Sequence, residues 1–338
     1  QRNITTAGRG SSGLWTQNAG SSAPAPAGGL NIVTTGTMTT GAVGAYGLLA
    51  SNGTTVRVDG ATIRVDGAGS TGPYAFGGNM TLANTSVRTT PINPWLVGTT
   101  SYGAYGIVAN VQSGVRARLS MTDGTIDTLG TNANAAYSNS SEMILERVTI
   151  TTAGSKGHGL LAANTATLTG SNVTVTTTGP GAYGARTVTG SSQTLTNSSI
   201  RTSGDDSYAL IAMGNNSSVT GTNVSIASTG PGAPGATAWA SNATDVIRVE
   251  LTGGSVTTSG ADSEGVISNE ANSTVTLNGT RVTTSGAFSN ALKVNGGTLS
   301  VTGGSIIAAN GPDSASLATG GTSTAISRVT LTDATVSS

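Results

Sequence analysis

The sequence has no cysteine, one histidine, and few charged or aromatic residues. The lack of cysteine excludes disulfide scaffolds and thiolate metal sites. Charged residues are 9% of the chain and the formal net charge is zero. Nucleic-acid binding needs a basic surface, so no nucleic-acid partner is expected. No apolar run is long enough to cross a bilayer as a helix.

The chain is rich instead in glycine, threonine, serine and valine. Glycine alone accounts for 50 of the 338 residues. Threonine and valine are β-branched, and such residues favour strands. A disordered chain of low hydrophobicity normally carries a large net charge, whereas here the net charge is zero and the apolar residues recur regularly. The composition therefore indicates an ordered, strand-rich protein.

Residues 273–286 show the unit on which the rest of the chain is built. Val275 and Leu277 alternate with polar residues, which is typical of a half-buried strand. Asn278-Gly279 predicts a corner, and Val282 is the inward residue of the strand that follows. Equivalent inward residues recur at intervals of mostly 24–26 residues: Ile32, Ile63, Val87, Ile126, Ile150, Val175, Ile200, Ile226, Val256, Val282, Ile306 and Val336. A period of this size is typical of solenoids.

Turn-forming residues stand at two fixed distances from the inward residues. A sharp corner needs residues that enter the left-handed region at low cost. The residues three positions before the inward residues meet this need, since all but Arg147 are Gly, Asn or Asp. These are Gly29, Gly60, Asn84, Asp123, Arg147, Asn172, Asn197, Asn223, Gly253, Gly279, Gly303 and Asp333. Four positions later come Gly36, Gly67, Pro91, Gly130, Gly154, Gly179, Gly204, Gly230, Gly260, Gly286 and Asn310.

A third short strand lies between the later turn and the next corner. It shows as residues 47–50, 106–109, 159–162, 209–212 and 291–294. Three strands and three turns per repeat predict one coil of a three-sided solenoid. The fold class expected is all-β: a right-handed parallel β-helix of about 12 coils with loop insertions.

Two segments are predicted from these boundaries. Residues 1–28 are expected to form an irregular N-terminal segment or cap, and residues 29–338 one continuous β-helix. The largest insertion lies between Val87 and Ile126, where Pro91-Ile92-Asn93-Pro94-Trp95 predicts a loop leaving the helix. A smaller insertion near residues 229–243 carries Trp239. Loops of this kind are where solenoids usually carry recognition.

The motif Gly-Ala-Tyr-Gly recurs and places Tyr105 and Tyr183 at one corner. One interpretation is a tyrosine that packs on the helix, and the other is an aromatic strip that contacts sugar or protein. The strip is broken, because Tyr105 and Tyr183 are not on adjacent coils. Together with the tryptophans of the insertions, the candidate binding residues are Trp95, Tyr105, Tyr183 and Trp239.

Catalytic chemistry finds little support in the sequence. His158 is the only histidine and is expected to be an exposed turn residue rather than part of a Ser–His–Asp system. Carboxylates cluster past the glycine turn at Asp205, Asp206, Asp262, Glu264 and Asp313. They are expected to be solvated turn charges, with a sugar-cleaving pair as the alternative. We therefore expect no enzymatic activity, no cofactor and no metal.

The rung Gly60-Ala61-Thr62-Ile63-Arg64-Val65-Asp66-Gly67, with Gly-Ala-Tyr-Gly-Leu-Leu-Ala, resembles the passenger domains of bacterial autotransporters, the pertactin-like group above all. The resemblance implies type V secretion, through the periplasm and a C-terminal outer-membrane β-barrel absent from this chain, to the cell surface or the exterior. It implies a passenger truncated before its C-terminal cap and that barrel. There is no Arg-Gly-Asp tripeptide and no serine-protease domain, so neither integrin binding nor proteolysis is expected.

The leading functional hypothesis is an adhesin or a self-associating factor of aggregation, biofilm formation and virulence. Faces of Thr, Ser and Asn offer many hydrogen-bonding groups and little charge, so two chains can associate through them. The alternatives are a host-receptor or glycan adhesin acting through the inserted loops, a polysaccharide-active enzyme, and a structural spacer.

Overall fold

The structure is a computed structural model that describes residues 2–16, 22–23, 30–37, 44–242, 244–321 and 325–338. These residues contain 36 strands and no helix, and none forms a helix that could span a membrane. The fold is the expected right-handed parallel β-helix, with about 12 turns. The chain divides into two compact units, residues 1–169 and 170–338, and each is described by itself.

Unit 1 contains the strands that follow, the last of which crosses its boundary. They are β1 (Arg2–Thr6), β2 (Ser12–Thr16), β3 (Ser22–Ala23), β4 (Leu30–Thr34), β5 (Tyr46–Ser51), β6 (Thr55–Asp59), β7 (Ala61–Val65), β8 (Thr71–Phe76), β9 (Asn79–Thr89), β10 (Trp95–Val97), β11 (Thr100–Tyr102), β12 (Ile107–Asn110), β13 (Arg118–Thr128), β14 (Ala136–Asn139), β15 (Glu142–Thr152), β16 (Leu160–Ala163) and β17 (Thr167–Ser171).

Unit 2 contains the remaining strands. They are β18 (Thr174–Thr177), β19 (Ala185–Val188), β20 (Ser192–Thr196), β21 (Ser199–Thr202), β22 (Leu210–Met213), β23 (Ser218–Thr222), β24 (Ser225–Ser228), β25 (Ala236–Trp239), β26 (Ile247–Thr252), β27 (Ser255–Thr258), β28 (Val266–Asn269), β29 (Ser273–Asn278), β30 (Arg281–Thr284), β31 (Leu292–Asn295), β32 (Thr298–Thr302), β33 (Ser305–Ala309), β34 (Leu317–Gly320), β35 (Arg328–Leu331) and β36 (Ala334–Ser337).

Each coil contributes a stretch of strand to each of three faces. In unit 2 the first face pairs β20, β23, β26, β29, β32 and β35 in parallel, and the second pairs β18, β21, β24, β27, β30, β33 and β36. The third face pairs β19, β22, β25, β28, β31 and β34. In unit 1, β9, β13 and β15 run through the corner and serve the first two faces, while β2, β5, β8, β12, β14 and β16 form the third.

Ten of the twelve inward residues that the repeat predicts are buried and form part of the core, whereas Ile306 and Val336 are 38% and 42% exposed. In unit 1 the parallel register stacks Ile63, Val87, Ile126 and Ile150, each at most 1% exposed. Burial of each such side chain contributes about 1.5–3 kcal/mol relative to leaving it in water. Stacked apolar columns of this kind therefore provide most of the driving force for closing the coils.

The corners confirm the second sequence pattern. Every described residue of the corner set has a positive φ, from Asn84 at 47° to Gly60 at 68°; Gly29 lies outside the described residues. Arg147 also adopts it, at 53°, a conformation that costs a residue with a Cβ about 1–2 kcal/mol. Its guanidinium donates from Nε and Nη2 to both carboxylate oxygens of Asp123, one coil earlier, at 2.7 and 2.9 Å. This bidentate contact offsets part of that cost.

Two details near the end of the chain correct the predicted register. Thr302 pairs with Asn278 and Ile307 with Val282, so the corner at Gly303-Gly304 holds one residue more than the corner before it. Ile307 is therefore the inward residue, fully buried, and Ile306 is 38% exposed. The same shift moves the following turn glycine from the expected Asn310 to Gly311.

The expectation that residues 1–28 are irregular is wrong for the part that the structure describes. Strand β1 pairs in parallel with β4, where Ile4 meets Ile32, and β2 pairs with β5, where Leu14 meets Leu48. The apolar residues at the strand centres align with the core columns, and this outweighs the serine- and proline-rich composition nearby. That residues 29–338 form one continuous helix stays a prediction.

Candidate functional site

The outward side of the third face in unit 1 carries a group of tyrosines. Tyr74 of β8 and Tyr137 of β14 occupy outward positions that are in register through Val108 of β12. Tyr46 and Tyr105, from two Gly-Ala-Tyr-Gly motifs, lie on either side of Thr71. The parallel register thus brings residues from four coils into two neighbouring columns.

The rings of these tyrosines contact one another. Tyr46 and Tyr74 are stacked, with ring centroids 4.8 Å apart, and Tyr74 also stacks on Phe76 at 5.5 Å. Tyr105 and Tyr137 meet edge to face, with centroids 5.9 Å apart and an interplanar angle of 67°. Such pairs contribute about 0.5–1.5 kcal/mol each beyond the area they bury. The rings therefore form a pre-ordered aromatic surface.

A cavity of about 360 Å³ opens between these rings. We call it the tyrosine cavity, and it is lined by Tyr46, Tyr74, Tyr102, Tyr105 and Tyr137, with Gly44, Gly69, Thr71, Val108 and Asn110. The β10–β11 hairpin supplies Tyr102 from its last residue. The volume of the tyrosine cavity lies in the range of small-molecule sites, about 300–1,000 Å³.

A row of amides sets the polar side of the tyrosine cavity. Asn110 donates from Nδ2 to the Tyr74 hydroxyl at 2.9 Å, and Asn139 donates to Asn110 Oδ1 at 2.9 Å. Asn164 in turn donates to Asn139 Oδ1 at 2.7 Å. The chain of amides fixes the Asn110 side chain, so its donor group points at the phenol.

Burial favours the protonated form of four phenols of the cavity, those of Tyr46, Tyr74, Tyr105 and Tyr137. Desolvation raises the pKa of Tyr105 to about 12 and also raises the pKa of Tyr46 and of Tyr137. The pKa of Tyr74 is raised further by desolvation, although its hydrogen bond with Asn110 opposes the shift. At neutral pH these groups are therefore uncharged hydrogen-bond donors.

The inserted segment that carries Trp95 is an antiparallel hairpin. Trp95 starts β10 and pairs with Tyr102 of β11, so the structure brings Trp95 and Tyr105 close in one region of unit 1. The Arg9 guanidinium lies over the Trp95 ring, 5.5 Å from its centroid. Trp95 is only half-exposed, whereas Ile92 and Leu96 are 71% and 66% exposed. The exposed large apolar residues of the insertion are thus Ile92, which precedes the hairpin, and Leu96 of β10; neither was among the candidate binding residues predicted from the sequence.

The other two candidate residues, Tyr183 and Trp239, lie together in unit 2. Both line a cavity of about 200 Å³ with Tyr208, whose ring meets that of Tyr183 edge to face at 5.3 Å. Trp239 was expected in an inserted loop, but it is the last residue of β25, a regular strand of the third face. The register of β22 and β25 places it beside Met213.

A second cavity of unit 2, about 230 Å³, is lined by Tyr208, Trp239, Glu264 and Lys293 among others. Glu264 is 8% exposed, and its Oε1 accepts a hydrogen bond from Lys293 Nζ at 2.5 Å. This ion pair distinguishes Glu264 from the neighbouring turn carboxylates.

Asp205, Asp206, Asp262 and Asp313 are exposed, the last three with φ of 51–54° in tight turns. His158 is 6% exposed, and its backbone N–H donates to Asn134 Oδ1 at 3.0 Å. The expectation of an exposed histidine is therefore wrong, because its turn packs against the coil before it. Within the described ranges, no three His, Asp or Glu side chains are placed to hold a metal ion.

A scan against protein-family models and a search of curated proteins found no match. Among solved structures, the chain is similar to Vag8, an autotransporter passenger of Bordetella, in the cryo-EM structure of the Vag8–C1 inhibitor complex. The TM-score is 0.74 at 19% sequence identity, over 98% of this chain and 70% of that one. At this identity the likeness shows the fold, a parallel β-helix of the type found in that passenger.

Proposed function

We propose that the chain is the surface-exposed passenger of an exported bacterial protein and acts as an adhesin. The observation that carries the proposal is the β10–β11 hairpin with its approach, residues 91–102, which presents Ile92 and Leu96 to solvent. Exposed apolar patches on a protein surface mark interaction sites, and we propose that these two side chains belong to such a patch. The likeness to an autotransporter passenger supports the location at the cell surface or outside it.

The hairpin is well suited to recognition because its base is held. The Arg9–Trp95 contact and the pairing of Trp95 with Tyr102 order the base, so little conformational entropy is lost when the segment binds. The partner proposed is a host surface protein or glycan. That Vag8 is found in a complex with C1 inhibitor supports a host protein as the class of partner.

The test is a double variant of the two exposed apolar residues, Ile92→Ser with Leu96→Ser, in protein presented on beads. Its adhesion to host cells and to purified matrix proteins is expected to fall about tenfold or more, since two anchor residues at the centre of an interface are lost. The matched control is Ile326→Ser, which changes an 81% exposed isoleucine of unit 2. Equal adhesion of the double variant and wild type would remove the hairpin from the proposal.

Self-association is the second candidate, and a hydroxyl column of unit 2 favours it. The register of the first face aligns one residue from each of five successive coils without a charged side chain: Thr196, Thr222, Thr252, Asn278 and Thr302. At a spacing of about 4.8 Å, a second column can hydrogen-bond to such a row at every coil. Thr222→Lys with Thr252→Lys should abolish clumping of cells that display the chain. Unchanged clumping would eliminate this surface.

We also propose that the chain is not an enzyme. The turn carboxylates Asp205, Asp206, Asp262 and Asp313 are solvated. Of two buried carboxylates in the described part of the chain, Glu264 is neutralised by Lys293, and Asp245 accepts hydrogen bonds from the backbone N–H groups of Ser241 and Asn242. A screen of hydrolysis and lyase activity on polysaccharides tests the proposal, and activity lost on Asp262→Ala would reverse it. If adhesion and clumping were both absent, a structural spacer would become the better interpretation.

A further inference from the structure

We infer that the tyrosine cavity is a binding site for a neutral carbohydrate, with room for one sugar unit of an uncharged glycan. The inference deepens the proposed adhesin function, on which it rests, by naming the chemistry of the partner's surface. It follows from the charge of the lining, the arrangement of the rings, and one hydrogen-bond donor that is left to be used.

The lining excludes charged ligands of either sign as good fits. None of the ten lining residues is Asp, Glu, Lys or Arg. An anionic ligand such as a phosphate or a carboxylate would lose its hydration without gaining a counter-charge, which opposes its binding in a concave site. The phenols stay protonated and add no negative charge for a cation. A neutral ligand avoids these costs.

The rings favour a ligand with an apolar face of C–H groups. The face of an aromatic ring is electron-rich and attracts the weakly positive hydrogens of C–H bonds. Tyr105 and Tyr137 both line the cavity and meet edge to face, so their two rings present differently oriented aromatic surfaces to a ligand. A quaternary ammonium needs several free ring faces around it. Tyr74 is already stacked with both Tyr46 and Phe76, which leaves fewer for such a cage.

The hydroxyl of Tyr74 can orient a bound ligand by donating one hydrogen bond to it. It accepts a hydrogen bond from Asn110, so its own proton must be donated elsewhere. No hydrogen bond within the described part of the chain uses that proton. A sugar hydroxyl in the cavity would accept it. Aromatic faces beside oriented hydroxyl and amide groups fit a ligand that alternates C–H faces with hydroxyls, which is the chemistry of a neutral sugar ring.

The experiment is isothermal titration of the purified chain with a panel of neutral oligosaccharides: maltotriose, lactose, cellotriose and mannotriose. Choline chloride and a tyrosine-containing tripeptide are titrated in parallel. We expect a saturable heat with at least one oligosaccharide and none with choline. No binding of any neutral sugar, or binding of choline or the peptide in their place, would overturn the inference.

Two variants assign the binding to the cavity. Tyr74→Phe keeps the ring and removes the donor, so the affinity for the bound sugar should fall about tenfold. Asn110→Ala releases the phenol from its fixed orientation and should also weaken binding. The matched control is Tyr208→Phe in unit 2, which has the same chemistry outside the cavity. Sugar affinity unchanged in both Tyr74→Phe and Asn110→Ala would place the site elsewhere.

Failure of this inference is distinguishable from failure of the proposed function. The hairpin double variant Ile92→Ser with Leu96→Ser should keep wild-type sugar affinity in titration while losing adhesion. If no sugar binds but adhesion still depends on the hairpin, the carbohydrate site is wrong and the adhesin stands. If sugar binds and adhesion is absent, the cavity stands without the proposed function.

Discussion

A methyl group added at Gly260 should destabilise unit 2 strongly. The glycines after the second face stack coil upon coil, so closely that a Cβ at Gly260 would lie 1.9 Å from the carbonyl oxygen of Gly230 and 2.4 Å from its carbon. That oxygen also accepts a hydrogen bond from Ser263 Oγ at 2.9 Å. Neither obstacle is the end of a flexible side chain, so the backbone itself has to move.

The geometry sets the size of the effect. Ordinary contact begins at 3.4 Å, so Gly260→Ala has to open the coils by about 1.5 Å, roughly a third of their spacing of about 4.8 Å. This stretches the backbone bond from Ser259 N to Ser228 O and disturbs the acceptor of Ser263. Overpacking and two weakened hydrogen bonds together cost about 3 kcal/mol. For a unit of this size that lowers the unfolding midpoint by about 6–12 °C.

Thermal unfolding followed by circular dichroism measures the shift, and amide hydrogen exchange locates it. The matched control is Gly321→Ala, where the added Cβ would meet Ala325 O at 3.5 Å, an ordinary contact. Faster exchange in the variant should concentrate around β24, β27 and β30, since each coil of a solenoid contacts mainly its neighbours. Gly260→Ala melting within the error of Gly321→Ala would refute the close stacking of the coils.

Three further predictions concern the tyrosine cavity, the core and the buried ion pair. Raising the pH from 10 through 12 should destabilise unit 1, because the folded state holds the proton of Tyr105, whose pKa is about 12, more tightly than the unfolded chain does. The stabilisation from this proton is complete below pH 10, and about 3 kcal/mol of it is lost at high pH. Urea titrations of Tyr105→Phe across that range should lack this loss. Equal alkaline losses in both proteins would contradict it. Ile126→Ala should lower the free energy of unfolding, measured in urea, by about 3 kcal/mol because a fully buried side chain is lost. Ile92→Ala, at an exposed position, should lower it by less than about 0.5 kcal/mol. Similar losses in the two variants would place Ile126 outside the core. Lys293→Met should destabilise unit 2 by about 1 kcal/mol, a modest amount because the lysine side chain is 44% exposed. Adding Glu264→Gln to that variant should recover part of the lost stability. No change in stability with Lys293→Met would show that Glu264 does not need this partner.

The sequence predicts the coils well because each coil obeys local rules. A corner in the left-handed region selects Gly, Asn or Asp, and the close stacking of coils selects glycine, so both positions leave a trace at a fixed spacing. The rule fails at Ile306 because a single extra residue at Gly303-Gly304 moves the register. The sequence pattern does not reveal that extra residue, because Ile306 and Ile307 are both apolar and either could be the inward residue.

The candidate site is only partly predictable for a different reason. Tyr105 belongs to a repeated motif and is found by it, whereas Tyr74 and Tyr137 stand in strands without that motif. Their approach to Tyr105 depends on how the 39-residue step between Val87 and Ile126 is divided between the hairpin and β12. Only the register of the third face, in which β12 lies between β8 and β14, reveals that these rings meet.

We propose that this chain is a surface adhesin whose hairpin makes the contact. The most direct test compares cells that display the wild-type chain, the Ile92→Ser with Leu96→Ser variant, or no passenger, scoring adhesion to host-matrix proteins and clumping in the same cultures. Hairpin-dependent adhesion without clumping is the predicted result. Clumping without adhesion would transfer the function to the hydroxyl column, and cells that neither adhere nor clump would contradict the claim.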